Sequence, residues 1–101
     1  MGLTGMDIAE YLKEWRTSED NAINARDLCT AFNLNSRHLR IIIGGLRKDG
    51  VPICSSSQGY WYSTDPEDIE KTIRRLEGQV INMNSVITGL TKALTGGENE
   101  S

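Results

Sequence analysis

Residues 23–62 have the sequence INARDLCTAFNLNSRHLRIIIGGLRKDGVPICSSSQGYWY, and the pattern changes along this segment. Two stretches with apolar residues at helical spacing come first, and two β-rich runs around a polar tip follow. Asn24 can cap the first helix through its side-chain oxygen, and Asp27 places negative charge at the positive end of the helix dipole. The apolar face of this helix is predicted to consist of Ala25, Leu28, Cys29 and Phe32.

A short turn separates the two predicted helices. Asn33 can adopt the left-handed conformation that ends the first helix, and Asn35 can cap the second. Leu34 lies between them and is predicted to point into the core. The inner stripe of the second helix is predicted to be Leu39, Ile42, Ile43 and Leu46. Residues 49–50, Asp-Gly, signal a turn after it. The hairpin strands are predicted within residues 51–54 and 60–62.

The order helix, turn, helix, hairpin is typical of a winged helix-turn-helix, in which the second helix of the pair can lie in a DNA major groove. Residues 6–63 resemble the N-terminal winged-helix domain of biotin operon repressors and the small winged-helix proteins of bacterial prophages and mobile elements. The matching pieces are residues 24–28, 36–40, 46–50 and 53–56, with Gly59 and Tyr60. The resemblance implies DNA binding without a ligase domain. Asn33 stands where the family usually has Gly, a substitution that a left-handed turn tolerates.

Composition indicates one small soluble domain of 101 residues with an ordinary share of apolar and charged side chains. No membrane span or secretory signal is visible, and we expect a protein of the bacterial cytoplasm. Cys29 and Cys54 are isolated, so we expect reduced thiols rather than a disulfide or a metal site. No paired carboxylates, activated nucleophile or phosphate loop is present. We therefore expect neither an enzyme nor a cofactor.

The net charge of −3 argues against DNA binding at first sight, but the charge is unevenly distributed. Residues 23–63 carry five basic side chains against two acidic ones, a net of +3. Residues 1–22 and residues 64–101 each have a net charge of −3. Because the screening length at physiological salt is roughly 8 Å, the local charge matters more than the total. The positive segment coincides with the predicted winged helix.

An N-terminal helix over residues 6–15 is predicted to cover the helix-turn-helix pair, after a loose segment at residues 1–5. Its inner stripe is predicted to be Ile8, Tyr11, Leu12 and Trp15. Trp15 is interpreted as a core residue rather than as a stacking platform for bases, because it lies on this stripe. Residues 16–21 are predicted to form a polar loop. Residues 22–23 are predicted to form a short strand that pairs with the hairpin.

The second helix of the pair is the predicted base-reading element. Its candidate DNA contacts are Ser36, Arg37, His38, Arg40, Ile41, Gly44, Arg47 and Lys48. The guanidinium of Arg40 can bond two acceptors of a guanine, whereas Arg47 and Lys48 are predicted to contact phosphates. Ile41 is apolar but lies off the inner stripe, so it is predicted to contact a thymine methyl, the core or a partner chain. His38 is interpreted as a surface residue rather than as a metal ligand or a base.

Two local features of the motif have more than one interpretation. Gly44 and Gly45 each cost a helix about 1 kcal/mol relative to Ala, and a close approach either to DNA or to the first helix would explain them. The hairpin tip at residues 55–59 is the predicted wing, and its candidate DNA contacts are Ser55, Ser56, Ser57 and Gln58. They can hydrogen-bond phosphates, but the tip has no basic residue. Tyr60 and Tyr62 share one face of their strand and Trp61 takes the other. One face is predicted to pack on the core.

A long C-terminal helix is predicted over residues 64–94, starting at the acidic, Pro-containing segment 65–68 and followed by a disordered tail at residues 95–101. Its apolar residues follow an unbroken heptad and are predicted to form a dimer seam: Ile69, Ile73, Leu76, Val80, Met83, Ile87, Leu90 and Leu94. β-Branched residues at the a positions favour two parallel strands. An antiparallel pair, a larger bundle and a stripe folded back on its own domain remain alternatives.

The sequence therefore predicts a mainly α protein with a small β-hairpin (α+β), a winged helix-turn-helix followed by a long dimerisation helix. We expect a homodimeric transcriptional regulator of bacterial, phage or plasmid origin that binds double-stranded DNA. The alternative is a non-catalytic accessory module that binds another protein in a mobile-element replication, conjugation or packaging complex. Neither function involves a membrane.

Overall fold

The computed structural model describes residues 5–94. The protein is mainly α-helical with one antiparallel hairpin, as predicted. The elements are α1 (Gly5–Trp15), a 3-10 turn (Glu19–Asn21), α2 (Ala25–Phe32), α3 (Ser36–Lys48), β1 (Ile53–Ser56), β2 (Gly59–Tyr62) and α4 (Pro66–Leu94). Helix α1 begins one residue earlier than predicted, at Gly5. The rest of the predicted loose N-terminus and the predicted disordered tail lie outside the described residues.

The turn between α2 and α3 is built as its three residues predict. The Asn24 side chain accepts a hydrogen bond from the Asp27 amide at 2.8 Å, which caps α2. Asn33 ends α2 in the left-handed conformation, with φ of 56° and ψ of 51°. The Asn35 side chain accepts from the His38 amide at 2.7 Å and caps α3. Leu34, between Asn33 and Asn35 in the chain, packs against the core and holds this polar turn on the domain.

The core lies where α1, α2, α3 and the hairpin meet. Its buried residues are Ile8, Leu12, Ile23, Leu28, Leu39, Ile43, Leu46 and Ile53. Partly buried side chains, including Tyr11, Phe32 and Ile42, pack around them. Ala25 is exposed, so the prediction that it belongs to the apolar face of α2 is wrong. It occupies the first residue of α2, at the rim of the packed face.

Trp15 is 64% exposed, which contradicts the prediction that it is a core residue. It is the last residue of α1, and the chain turns immediately after it. Arg16 fixes this turn, because its Nε donates to the Tyr11 hydroxyl at 2.9 Å and its carbonyl accepts from the Tyr62 amide at 2.8 Å. The apolar stripe of α1 therefore extends past the surface that the rest of the core covers.

The hairpin is buried on both faces. Cys54 pairs with Trp61 across the strands, and both side chains are buried under α4. Tyr60 and Tyr62 pack on the core from the opposite face. Burial raises the pKa of the Cys54 thiol, which favours the protonated form. The hairpin is thus the middle layer between the helical core and α4, and Trp61 is the aromatic residue that α4 covers.

Two hydrogen bonds join the hairpin to α4. The Trp61 Nε1 donates to the Asp68 carboxylate at 3.3 Å, and the Ser55 amide donates to the Thr72 hydroxyl at 3.2 Å. Thr72 is 5% exposed, so this second bond is shielded from water. Helix α4 begins at Pro66, with the Asp65 side chain accepting from the Glu67 amide. The start of α4 is therefore positioned by the hairpin.

A third segment pairs with the hairpin, as predicted for residues 22–23, although only one residue forms the bridge. The Tyr60 amide donates to the Ile23 carbonyl at 2.8 Å, and the Ile23 amide donates back at 3.0 Å. Gly59 precedes this bridge with φ of +129°, and a Cβ there would lie 2.8 Å from the Asn24 nitrogen and closer to the Ile23 carbonyl. The close approach of the two backbones requires glycine at this position.

We expect Gly59→Ala to lower the free energy of unfolding by about 3 kcal/mol, through backbone strain and the clash with Ile23. Gly45→Ala is the matched control, since a Cβ at Gly45 meets nothing within 4 Å. This control should raise stability by about 0.5–1 kcal/mol, because alanine favours the helix. Urea unfolding measures both values. Equal stability of the two variants would contradict the role of Gly59.

Candidate nucleic-acid interface

Helix α3 turns one face to the core and the other to solvent. Leu39, Ile43 and Leu46 are buried. The opposite face carries the exposed cations Arg37 and Lys48. Four other α3 residues predicted to contact DNA are also exposed: Ser36, His38, Arg40 and Ile41. The remaining two, Gly44 and Arg47, are half-buried. The structure therefore leaves six of the eight predicted contacts of α3 exposed to solvent.

Ile41 is 60% exposed in the middle of this polar surface. The alternative that it belongs to the core is therefore wrong. Lys48 lies two turns along the same side of the helix, because residues seven apart are separated by nearly two full turns. An exposed apolar side chain between cations is suited to contact either a thymine methyl or a partner protein.

Arg47 has a different environment from the other cations of α3. Its Nε donates to the Ile53 carbonyl at 2.8 Å, and its Nη2 donates to the Ser55 hydroxyl at 3.0 Å. Burial lowers the pKa of the Arg47 guanidinium. The side chain stays charged at neutral pH, because the ordinary pKa of arginine is far above neutral. Arg47 was predicted as a phosphate contact from its sequence position. In the structure its hydrogen bonds join α3 to β1.

The wing has the polar character that its sequence predicts. The Ser56 hydroxyl accepts from the Gln58 amide at 3.0 Å and closes the turn. Ser57 and Gln58 are exposed, whereas Ser55 and Ser56 are half-buried. Ser55 is held between Arg47 and α4 and belongs to the base of the wing rather than its tip.

A groove of about 470 Å³ lies between α3, the wing and α4. Three arginines line it: Arg40 and Arg47 from α3, and Arg75 from α4. Within residues 5–94, none of the three forms an ion pair with a carboxylate. Ser55, Ser56, Ser57 and Gln79 add hydroxyl and amide groups to the lining. We call this feature the arginine groove; its uncompensated charge and its donors are suited to an anion such as a phosphate.

Arg75 was not predicted as a site residue. It follows another arginine on a long helix and occupies an outer position of the heptad, which is typical of a solvated face. No local pattern could have shown that α4 runs beside α3. The alternation in β2 gave an indirect indication of where α4 packs. If Tyr60 and Tyr62 face the core, Trp61 lies on the opposite face and must be covered by another element. Helix α4 is the element that follows β2.

The two adjacent glycines of α3 lie in open space. A Cβ added at Gly44 or Gly45 would meet nothing within 4 Å. A close approach of α2 therefore does not explain them, although it was one of the two interpretations of the sequence. Gly44 lines the arginine groove beside Arg40. Its missing side chain leaves room there for a bound molecule to approach the α3 backbone.

Two features are absent from residues 5–94: a metal-ligand cluster and a membrane-spanning helix. Across residues 5–94, no cluster of three or more His, Cys, Asp or Glu side chains is arranged to hold a metal ion. None of the helices in this part of the chain is both long and apolar enough for a membrane crossing. Comparisons with protein-family models, curated proteins and solved structures found no match for the chain.

We expect Arg47→Met to lower the free energy of unfolding by about 1–3 kcal/mol, because it removes two hydrogen bonds that link α3 to β1. Lys48→Met removes the neighbouring exposed cation and should change stability by less than about 0.5 kcal/mol. Thermal or urea unfolding of the two variants provides the comparison. If Lys48→Met were the more damaging change, the structural role of Arg47 would be wrong.

Proposed function

We propose that this protein binds double-stranded DNA in the bacterial cytoplasm as a winged-helix transcriptional regulator of bacterial, phage or plasmid origin. The observation that carries the proposal is the accessible surface of α3. Arg37, Arg40 and Lys48 are exposed there, and none of them forms an ion pair within residues 5–94. The wing lies beside this surface across the arginine groove. Unpaired cations on the exposed face of a helix are suited to the major groove of duplex DNA, whose phosphates are negatively charged.

The proposal divides the contacts by chemistry. Arg37 and Arg40 lie in the first turns of α3 and read bases, because the N-terminal part of such a helix enters the groove. Arg40 bonds the N7 and O6 acceptors of a guanine, and Ile41 packs on a thymine methyl. Lys48 lies at the end of α3 and contacts a phosphate. Ser57 and Gln58 at the exposed wing tip hydrogen-bond the backbone more weakly, since they carry no charge.

The arginine groove holds a phosphate of the same DNA in this proposal. Arg75 supplies a contact from α4, whereas Arg40 and Arg47 line the same groove from α3. Arg47 keeps unused N–H groups after its two bonds to β1, because a guanidinium has five. A DNA phosphate bound between α3 and α4 would set the depth and register of α3 in the DNA major groove. Such contacts position the protein without reading sequence.

The exposed side chain of Ile41 also favours a second candidate, an accessory module that binds another protein of a mobile-element complex. An apolar side chain 60% exposed among cations fits a protein contact as well as a thymine methyl. The two functions separate in one measurement. The DNA-binding protein is retained on duplex DNA in a salt-dependent way, whereas the accessory module shows no DNA binding even at low salt.

Fluorescence anisotropy with a selected duplex tests the readout. We expect Arg40→Ala to weaken binding by about 1–3 kcal/mol and to relax the preference at one base pair. Arg26→Ala is the matched control: Arg26 is an exposed cation on α2 and does not line the arginine groove. It should leave the base preference unchanged. Equal effects of the two variants on affinity and preference would remove Arg40 from base readout.

Phosphate binding in the arginine groove is tested separately, by comparing two adjacent arginines on α4. Arg75→Ala should weaken binding to specific and random duplexes alike, and reduce the slope of log K against log salt concentration by about 1. Arg74→Ala removes the same charge from a residue that does not line the arginine groove, and should change the slope much less. Identical slopes for both variants would show that α4 makes no phosphate contact through Arg75.

A further inference from the structure

Helix α4 is longer than the domain that it covers. Its first turns pack on the hairpin, with Thr72 buried and Ile69 and Leu76 half-buried. Every residue from 77 to 94 is exposed. The apolar positions nevertheless continue along the same side of the helix, because the heptad spacing that includes Ile69 and Leu76 runs unbroken to Leu94. The face that covers the hairpin therefore continues into solvent as a bare apolar stripe.

The stripe is large enough for a specific interface. Seven exposed apolar side chains lie on this side of α4: Ile73, Val80, Met83, Val86, Ile87, Leu90 and Leu94. Such side chains remove about 60–120 Å² each from water when fully buried, so their exposed parts amount to roughly 400 Å² per chain. Apolar atoms make up about 60% of an interface. Two such faces would bury roughly 1,300 Å², within the range of specific complexes.

The composition of the stripe suits a second copy of this chain. Residues 78–91 contain no charged side chain, so two copies can approach without like-charge repulsion. A face without charge also offers no electrostatic preference for a different partner. We propose that two copies associate through residues 73–94 of α4, and that the two helices run antiparallel. This inference does not depend on DNA binding.

The position of the hairpin favours an antiparallel pair of α4 helices over a parallel one. In a parallel pair the helix axes lie about 8–10 Å apart along the whole seam, and equal residues face each other. Each helix, however, already packs its own hairpin at Ile69 and Thr72 on the seam side. Both hairpins would then occupy the space between the helices, only about 12 Å along the axis from Val80. An antiparallel pair puts the two hairpins at opposite ends.

The heptad also supplies the register. An antiparallel pair sets a positions of one helix against d positions of the other. The layers are then Leu76 with Leu94, Val80 with Leu90, and Met83 with Ile87, each occurring twice. An apolar cleft of about 280 Å³ lies where the seam reaches the hairpin, lined in part by Val51, Pro52, Ile73 and Leu76. The end of the second copy's α4 lies beside this cleft and shields it from water.

The association is tested first by mass. Sedimentation of the DNA-free full chain should give twice the chain mass of 11.2 kDa at micromolar concentration. Ile87→Glu should shift the mass to the monomer, since it places a charge in the central layers of the seam. Thr88→Glu is the matched control, exposed but off the stripe, and should remain dimeric. A monomeric or tetrameric wild type, or dissociation by Thr88→Glu alone, would overturn the proposal.

The direction is tested by oxidative cross-linking of single cysteine variants. In the antiparallel register, a mixture of Val80→Cys and Leu90→Cys forms a covalent dimer, whereas either variant alone forms little. A parallel pair gives the reverse, since each new cysteine then faces its own copy within disulfide range. The wild type, with Cys29 and the buried Cys54, measures the background. Cross-linking of each variant alone would overturn the antiparallel direction. Loss of DNA binding would change neither result.

Discussion

A two-stranded hairpin has little stability of its own in water, so the positions of the functional groups in this protein depend on how β1 and β2 are covered. The core covers one face through Tyr60 and Tyr62, and α4 covers the other through Cys54 and Trp61. Ile23 pairs with β2 at Tyr60, and Arg47 joins β1 to α3. These contacts hold the base of the wing in place, whereas its tip is an exposed polar turn.

The same cover has two consequences for function. It brings α4 alongside α3, which completes a groove lined by three arginines that make no ion pair within residues 5–94. It also uses only the first three turns of α4, so the remaining apolar face is left in solvent. The packing of the start of α4 on β1 and Trp61 therefore creates both the surface proposed for phosphate and the surface proposed for a second copy.

Charge in this protein is organised by segment rather than by total. The chain as a whole is acidic, with a net charge of −3, yet residues 23–63 carry a net of +3. The structure keeps most of that positive charge on or beside α3. Arg75 adds a cation from an otherwise acidic segment. Because exposed charges interact over roughly 8 Å at physiological salt, a polyanion at α3 meets this local excess and not the average.

Features that depend on neighbours within one turn of the chain could be predicted from the sequence alone. The caps at Asn24 and Asn35 and the left-handed Asn33 follow from side-chain chemistry, which acts within three residues. The inner stripe of α3 and the heptad of α4 follow from the helical period. The sequence also predicted the order of the helices and strands. Of the twelve residues predicted to contact DNA from α3 and the wing, Arg47 and Ser55 form a hydrogen bond to each other in the structure, and Arg47 also bonds the Ile53 carbonyl. DNA contact by the twelve residues stays a prediction.

Features that depend on which surfaces meet were decided only by the tertiary structure. Periodicity cannot show where a covering surface stops, so it predicts Trp15 in the core although the side chain is exposed. It cannot distinguish a solvated arginine from one that bonds a distant strand, which is why the sequence predicts Arg47 only as a phosphate contact. Nor can it show that α4 passes α3 at Arg75, or that the hairpin packs against the first turns of α4. Local hydrogen bonds and helical period are set along the chain, whereas burial and the pairing of distant groups exist only once separate segments pack together.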